Sequence, residues 1–224
     1  MIQLNNVHRH YVMASETIRA LDGITLSIKE GERIILLGPS GSGKTTLLNC
    51  ISGLDVPTAG EYLFDGIPVT GNSEDLTTFR RKNVGYVFQF FNLLQDLTVL
   101  ENVLLIQELS GQRDAERAKE VLRLVGLDSE INRFPSEISG GQQQRVAIAR
   151  SIAKSPKLLL GDELTGNLDS GTSAKVMEAL TQACKSENIT TIMVTHDESL
   201  AKYATRAIHL DSGKVKSDEQ VVQD

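Results

Sequence analysis

The segment from Gly38 to Thr45 limits the possible folds of this chain more than any other segment. Within eight residues it places three glycines and a Lys-Thr pair at the spacing of a phosphate-binding loop. Glycines allow consecutive backbone N–H groups to turn inward around phosphate oxygens without a Cβ clash. The lysine supplies a cation for those phosphates, and the threonine hydroxyl can ligate Mg²⁺. We therefore predict a nucleotide-binding loop made of Gly38, Pro39, Ser40, Gly41, Ser42, Gly43, Lys44 and Thr45.

The neighbours of this loop fit the prediction. Arg33-Ile34-Ile35-Leu36-Leu37 has the composition of a buried strand, and the residues from Thr46 to Ile51 have that of a helix. A helix that begins at the loop adds the positive end of its dipole to an anion site, so Thr46 joins the predicted site. A flexible Gly/Ser turn, the alternative, needs neither element. The loop alone leaves open which nucleotide it binds and for what purpose.

Composition limits the class of protein. The chain has 224 residues, 40% of them apolar, which is enough for one folded domain with a sizeable core. The net charge of −6 argues against nucleic-acid binding driven by bulk charge. No apolar run approaches the ~20 residues of a membrane span, and the N-terminus lacks a signal-peptide pattern. We expect a cytoplasmic protein in which Cys50 and Cys184 are small buried residues.

The order of predicted elements indicates an α/β fold. After Pro156, apolar strands alternate with helices, as in a mostly parallel sheet covered on both faces. Alternating strands before residue 30 and a hairpin with Asp65-Gly66 at its tip predict an N-terminal antiparallel β lobe. Helical periodicity between about 90 and 154 predicts an inserted helical lobe. We expect a P-loop core formed by residues 1–89 and 155–224 within one domain, and a loosely held last ten residues.

A second anion-binding helix terminus is predicted about a hundred residues after the first loop. Ser139-Gly140-Gly141-Gln142 opens a helix, with Ser139 in the N-cap position and two glycines that expose backbone N–H groups. Simple helix capping is the alternative interpretation.

Two adjacent carboxylates end a continuous apolar strand, Leu158-Leu159-Leu160-Gly161-Asp162-Glu163. Ligands of open α/β sheets bind at the carboxyl ends of strands. Asp162 could hold the water shell of Mg²⁺ beside Thr45, and Glu163 could polarise an attacking water. A solvated junction between strand and loop is the alternative.

Together these residues resemble the nucleotide-binding subunits of ATP-binding-cassette (ABC) transporters over essentially the whole chain. The phosphate loop matches Walker A, Asp162-Glu163 ends Walker B, and residues 139–142 match the signature peptide. Phe88-Gln89, Asn167-Leu168-Asp169 and Thr195-His196-Asp197 match the Q-, D- and H-loops. Six motifs in family order make the resemblance specific.

The resemblance implies a role for each matching residue. Tyr11 would stack on adenine, Lys44 and the loop amides would hold the phosphates, and Thr45, Gln89 and Asp162 would arrange Mg²⁺. Glu163 would be the general base, and His196 would contact the γ-phosphate. Ser139, Gly140, Gly141 and Gln142, with Asp169 of the D-loop, would serve ATP bound mainly by a second copy of the chain. Packing alone remains an alternative for Tyr11, Gln89 and His196.

Longer stretches resemble the lipoprotein-release and macrolide-export branch of the family, including Phe88-Gln89-Phe90-Phe91-Asn92-Leu93-Leu94. The implied protein is an ATPase that forms a homodimer with ATP and powers an integral membrane permease from the inner face of the membrane. Cell-division cassettes, which act as ATP switches on a membrane partner, remain an alternative, and a soluble ATPase of DNA repair or translation is a third.

Two local features fit the pattern less well. Leu164 stands where the family usually has Pro, and proline would favour an extended backbone at Glu163, so Leu164 is expected to loosen the base. His8 and His10 lie too close together in an irregular segment to predict a metal site.

Overall fold

The computed structural model describes residues 1–13 and 16–221. In chain order, its strands and helices are β1 (Ile2–Val12), β2 (Thr17–Ile28), β3 (Arg33–Leu37), α1 (Lys44–Ser52), β4 (Ala59–Phe64), β5 (Ile67–Pro68), α2 (Ser73–Asn83), β6 (Val84–Val87), α3 (Val99–Leu109), α4 (Ala115–Leu124), α5 (Gly140–Ile152), β7 (Leu158–Asp162), α6 (Ser170–Ser186), β8 (Thr190–Val194), β9 (Arg206–Asp211) and β10 (Lys214–Gln220). Short 3-10 helices span Pro135–Glu137 and Glu198–Tyr203.

The chain forms two compact units. The first comprises Met1–Arg81 together with Thr190–Asp224, and the second comprises Lys82–Ile189. The second unit includes more of the chain than the predicted lobe of residues 90–154, because β6, β7 and α6 group with its helices.

The first unit contains the predicted antiparallel sheet, with strand order β2-β1-β4-β5. At its hairpin, Phe64 pairs with Ile67 across Asp65-Gly66. Both turn residues have a positive φ, 51° at Asp65 and 76° at Gly66, as a two-residue hairpin turn requires. The hairpin predicted from the Asp-Gly pair is confirmed.

Parallel strands in the first unit position the phosphate loop. β3 pairs in parallel with β8 on one side and with β9 on the other. Ile34, Ile35 and Leu36 of β3 are fully buried, as expected for a strand covered on both faces.

The end of the chain corrects one expectation. Of the last ten residues, 215–220 are not loosely held, because β10 pairs antiparallel with β9 from Lys214 to Gln220, and residues 222–224 lie outside the described ranges. Arg206 also binds the carboxylate of Asp218 across these two strands, with Nε and Oδ1 2.6 Å apart. This edge strand is mostly polar, so its sequence shows no alternation of apolar and polar residues from which a strand could be predicted.

The second unit pairs β6 in parallel with β7 and packs α5 against α3, α4 and α6. The apolar positions of α5 predicted as core, Val146, Ile148, Ala149 and Ile152, are fully buried. α3 was not predicted as a separate helix, although Thr98 and Glu101 form a capping box at its start.

Within the described ranges, no helix combines the length and apolar character needed to cross a membrane. Cys50 and Cys184 are buried free cysteines, as predicted. Burial and the nearby Asp55 carboxylate raise the pKa of the Cys50 thiol to about 12, against a weaker lowering by Arg9, which keeps it protonated at neutral pH.

Candidate functional site

The phosphate loop (residues 38–45) connects the carboxyl end of β3 to α1. Gly38 and Gly43 have φ values of 142° and 100°. A Cβ at Gly38 would lie 2.1 Å from the carbonyl oxygen of Leu210, and one at Gly43 would lie 2.4 Å from that of Ala20. Glycine is therefore required at both positions by backbone angle and by the close approach of neighbouring backbone.

Lys44 points its ammonium group back over the loop. Its Nζ donates hydrogen bonds to the carbonyl oxygens of Gly38, at 2.7 Å, and Pro39, at 2.9 Å. The buried hydroxyl of Ser42 has no hydrogen-bond partner in residues 1–13 and 16–221. A Cβ at Gly41 would meet nothing within 4 Å. A cation, an unpaired buried hydroxyl and the start of α1 form a cradle that fits a polyphosphate.

The remaining residues predicted to bind nucleotide differ in how far their side chains are exposed to solvent. Pro39, Ser40 and Thr45 are exposed, and Thr46 is half-buried in the first turn of α1. The Thr45 hydroxyl is thus accessible for a metal ion.

His196 follows β8 directly, and β8 is the parallel neighbour of β3. The Thr195 N–H donates to Leu36 O at 3.2 Å, so His196 leaves the sheet at the same end as the phosphate loop. Asp197 accepts a hydrogen bond from the Ser199 N–H at 2.9 Å and caps the second 3-10 helix. Hydrogen bonds from Ser199, helped by the nearby charges of His196 and Lys202, lower the pKa of Asp197 against a smaller effect of burial.

Tyr11 is held by two residues that the sequence did not single out. Its hydroxyl donates to Asp55 Oδ2 at 2.6 Å, and the guanidinium carbon of Arg9 lies 4.5 Å from the ring centroid. Arg9 also pairs with Asp55, with Nη2 and Oδ1 2.8 Å apart. Arg9 therefore covers one face of the Tyr11 ring. The spacing of Arg9 and Tyr11, two residues apart on one strand, is the signal that could have predicted this group.

In the second unit, Asp162 is the last residue of β7, Glu163 follows it, and Gln89 lies two residues after the end of β6. β6 and β7 are parallel with Val87 opposite Gly161, so all three residues leave the strands at the same end. A Cβ at Gly166 would lie 3.3 Å from Gln89 Nε2, which places the Gln89 amide beside the turn after Glu163. The Gly166 N–H closes that turn on the Glu163 carbonyl at 3.1 Å.

Glu163 has a left-handed backbone, with φ of 49°. Non-glycine residues in this region carry strain and persist where their surroundings hold them. Leu164 is only 5% exposed, and its Cδ1 lies 2.7 Å from the position of a Cβ on Gly161. Leu164 is therefore packed in the space beside Gly161, and its effect on the mobility of Glu163 stays a prediction.

The signature peptide (residues 139–142) forms the amino end of α5. Ser139 Oγ accepts from the Gln142 N–H at 3.3 Å, and Gln142 Oε1 accepts from the Ser139 N–H at 2.8 Å. The predicted N-cap at Ser139 is confirmed, whereas anion binding at this helix start stays a prediction. A Cβ at Gly141 would lie 2.3 Å from Thr172 Cγ2, so this glycine allows α5 to approach α6 closely.

A cleft of about 310 Å³ opens at this helix start. Two of its residues, Arg145 and Lys175, add positive charge to the helix N-terminus, and neither was singled out from the sequence. The D-loop residue Asp169 caps the neighbouring α6, with Oδ1 3.0 Å from the Thr172 nitrogen. Hydrogen bonds from Thr172 lower the pKa of Asp169. The cleft is lined by Ser139, Gly141, Gln142, Arg145, Thr172, Lys175 and Val176.

The chain is similar to known ATP-binding cassettes. The family model described as ABC transporter matches residues 21–166. A lipoprotein-releasing system ATP-binding protein of Syntrophus aciditrophicus is 42% identical, over 96% of this chain and 98% of that protein. A macrolide export ATP-binding/permease protein of Syntrophobacter fumaroxidans is 40% identical over the whole chain, which spans 32% of that longer protein.

A solved structure shares the fold over the full length. It is the dimeric post-hydrolysis state of an ATP-binding cassette with ADP and phosphate bound, with a TM-score of 0.88 and 41% identity. The match covers 100% of both chains. The α/β fold with an antiparallel β lobe predicted from the sequence is thus confirmed.

Proposed function

Because this chain belongs to the ABC transporter family of ATP-binding proteins, we propose that it hydrolyses ATP to drive a membrane permease of the lipoprotein-release or export type. The observation that carries the proposal is the phosphate loop at the end of β3, with the Lys44 ammonium over it and an unpaired Ser42 hydroxyl within it. The names of the two relatives support the type of transporter.

ATP would bind through the loop amides and Lys44, with the open face of Tyr11 available to adenine. Thr45, Gln89 and Asp162 are the proposed Mg²⁺ ligands, and all three offer oxygen atoms of the kind that Mg²⁺ prefers. The metal would neutralise charge on the phosphate oxygens during transfer.

Hydrolysis needs a group that takes a proton from the attacking water. Glu163 is the proposed base, and His196 is proposed to position that water and contact the γ-phosphate. Lys44 would stabilise the negative charge of the transition state. The left-handed backbone and the buried Leu164 beside Glu163 would hold the base in one orientation.

The signature peptide would complete the site of a second copy in a homodimer. Its exposed Ser139, the free amide groups at the start of α5 and the cationic Lys175 line one cleft, which suits a terminal phosphate. The similar cassette that was solved with ADP and phosphate is a dimer, which supports this arrangement. A single copy would then be catalytically incomplete.

The permease is proposed to dock on apolar residues near the Q-loop, which would place the protein at the inner face of the membrane. Phe88, Phe90 and Leu94 are exposed by 42%, 68% and 49%. Leu93, which precedes Leu94, is buried and therefore does not belong to this exposed surface.

Replacement of the proposed base tests the function directly. Glu163→Gln keeps the size of the side chain and removes the proton acceptor, so ATP binding should persist while turnover falls by about 10²- to 10⁴-fold. The variant should also accumulate an ATP-dependent dimer, measured by size-exclusion chromatography with light scattering. Glu178→Gln, an exposed position on α6, is the matched control. Turnover like that of the wild type in Glu163→Gln would refute the assignment.

A further inference from the structure

Two histidines and a carboxylate, none of them assigned a part in ATP hydrolysis, meet on β1 and β2. His8 lies opposite Asp22 in the strand register, and His10 lies two residues further along β1. His8 Nδ1 is 3.3 Å from Asp22 Oδ1, and His10 Nε2 is 3.7 Å from the same oxygen. The three atoms all lie within 4.8 Å of one another.

The polar atoms in this cluster are poorly matched without a cation between them. His8 Nε2 lies 3.2 Å from Asn6 Oδ1, an oxygen that can only accept a hydrogen bond. In the neutral tautomer that donates from Nε2, the lone pair of Nδ1 faces the Asp22 carboxylate. Two acceptors at this distance repel each other unless a proton or a metal ion lies between them.

His10 supplies a second, independent indication of a metal site. Its Nε2 is buried and has no hydrogen-bond partner in the described part of the chain. A buried nitrogen without a partner is unfavourable, and a metal ion that accepts its lone pair would remove that penalty.

Asp22 keeps one oxygen directed at the histidines. Its other oxygen, Oδ2, pairs with Lys214 Nζ at 3.4 Å. A metal ligand must be a carboxylate in its ionised form, and the Lys214 ammonium beside Oδ2 favours that form.

We propose that His8, His10 and Asp22 form a binding site for a divalent transition-metal cation, with Zn²⁺ the best match. Imidazole nitrogens with one carboxylate oxygen suit zinc, whereas Mg²⁺ and Ca²⁺ prefer oxygen ligands alone. Water would complete the coordination. Asn6 would be the outer partner that fixes the His8 ring, as metal-bound histidines usually have.

The spacing of the ligand atoms can be compared with that of a zinc site. Zinc bonds of about 2.0–2.2 Å in a tetrahedral site place neighbouring ligand atoms roughly 3.3–3.5 Å apart. The His8–Asp22 distance fits this range, the His10–Asp22 distance is a few tenths of an ångström longer, and the two histidine nitrogens lie within 4.8 Å of each other.

The metal would act as a clip between β1 and β2 next to the nucleotide site. The Asp22 N–H donates to Gly213 O at 2.9 Å, and the Gly213 N–H donates to Ser42 O at 3.0 Å. Two backbone hydrogen bonds thus connect the cluster to the phosphate loop.

The test uses the full chain without a polyhistidine tag, stripped of metal and kept free of nucleotide and Mg²⁺. Co²⁺ titration should give the visible d–d absorption of a tetrahedral site with one ion per chain, and Zn²⁺ should displace the Co²⁺. Because no nucleotide is present, the result is independent of ATP hydrolysis. Absence of stoichiometric binding to the folded wild type would overturn the proposal.

Variants locate the site. His10→Asn and Asp22→Asn should each weaken Zn²⁺ binding by at least about 10-fold in isothermal titration calorimetry. His209→Asn, which removes an imidazole from β9 instead, should bind like the wild type. Equal affinity in all four proteins would overturn the assignment.

A measurement on the wild type alone guards against variants that fail to fold. In protein labelled with ¹⁵N-histidine, Zn²⁺ should shift the ring signals of His8 and His10 and leave those of His209 in place. Shifts confined to His209 or His196 would contradict the proposal.

Discussion

At the residue scale, the turn that carries the proposed base, Glu163, depends on the packing of Gly161 against Leu164. Gly161 leaves space in β7, and the Leu164 side chain fills that space while Glu163 lies between them with a positive φ. Leu164, which stands where the family usually has Pro, is therefore held by packing within the same turn. The missing side chain at Gly161 makes room for Leu164, so the two positions have to be considered together.

This pairing predicts the effect of two substitutions. Gly161→Ala should destabilise the protein by about 1–3 kcal/mol, because its Cβ would overlap Leu164 Cδ1. Leu164→Ala should destabilise it by leaving a cavity, and the double variant should lose less than the sum of the two. Urea denaturation measures the free energies of unfolding. Additive losses would show that the two side chains do not interact.

At the element scale, β1 is fastened to the turn after α1 by one carboxylate. Asp55 accepts hydrogen bonds from Arg9, at 2.8 Å, and from the Tyr11 hydroxyl, at 2.6 Å. Desolvation acts to raise the pKa of Asp55, but Tyr11, Arg9 and the Val56 N–H together hold it below its ordinary value of 3.8. The element that carries Tyr11 thus depends on the ionised form of Asp55.

The sign of the pH dependence follows from that lowered pKa. Stability from Asp55 is fully present above the unfolded-state pKa and is lost as the pH falls from there through the lower folded-state pKa. Asp55→Asn should be less stable than the wild type at neutral pH, and the difference should shrink as the pH falls from about 5 to about 3. Chemical denaturation at several pH values measures this, with exposed Asp96→Asn as the control. A difference that stays constant with pH would contradict the role of Asp55.

At the scale of the whole molecule, the two units carry different parts of the machinery. The first holds Tyr11, the phosphate loop and His196, and the second holds Gln89, Glu163 and the signature peptide. The signature cleft and the phosphate loop are the two proposed anion sites of one chain. Two anion sites are expected if each chain completes the ATP site of its partner.

Mixing two inactive variants tests this exchange. Lys44→Ala destroys its own phosphate loop, and Ser139→Arg blocks its own signature cleft, so each homodimer should be inactive. A mixed dimer restores one complete site, and random pairing of equal amounts should recover about a quarter of wild-type turnover. ATPase assays on the separate and mixed proteins measure this. If mixing yields no more turnover than the separate variants, the sites are not shared between chains.

The sequence by itself determined the family, the phosphate loop, the strand-end carboxylates and the N-cap at Ser139. Those features depend on local spacing, because a glycine turn, a buried strand and a capped helix each need particular residue types in order. Polar edge strands such as β10 escaped prediction, since their order comes from pairing with β9 rather than from their own pattern.

Only the tertiary structure decided which distant residues meet. It placed Arg9 and Asp55 around Tyr11, Leu164 beside Gly161, and Asp22 opposite His8. The two histidines looked uninformative in the sequence because their third ligand lies on another strand. Strand register and backbone approach depend on contacts between segments far apart in the chain, and local sequence patterns do not specify such contacts.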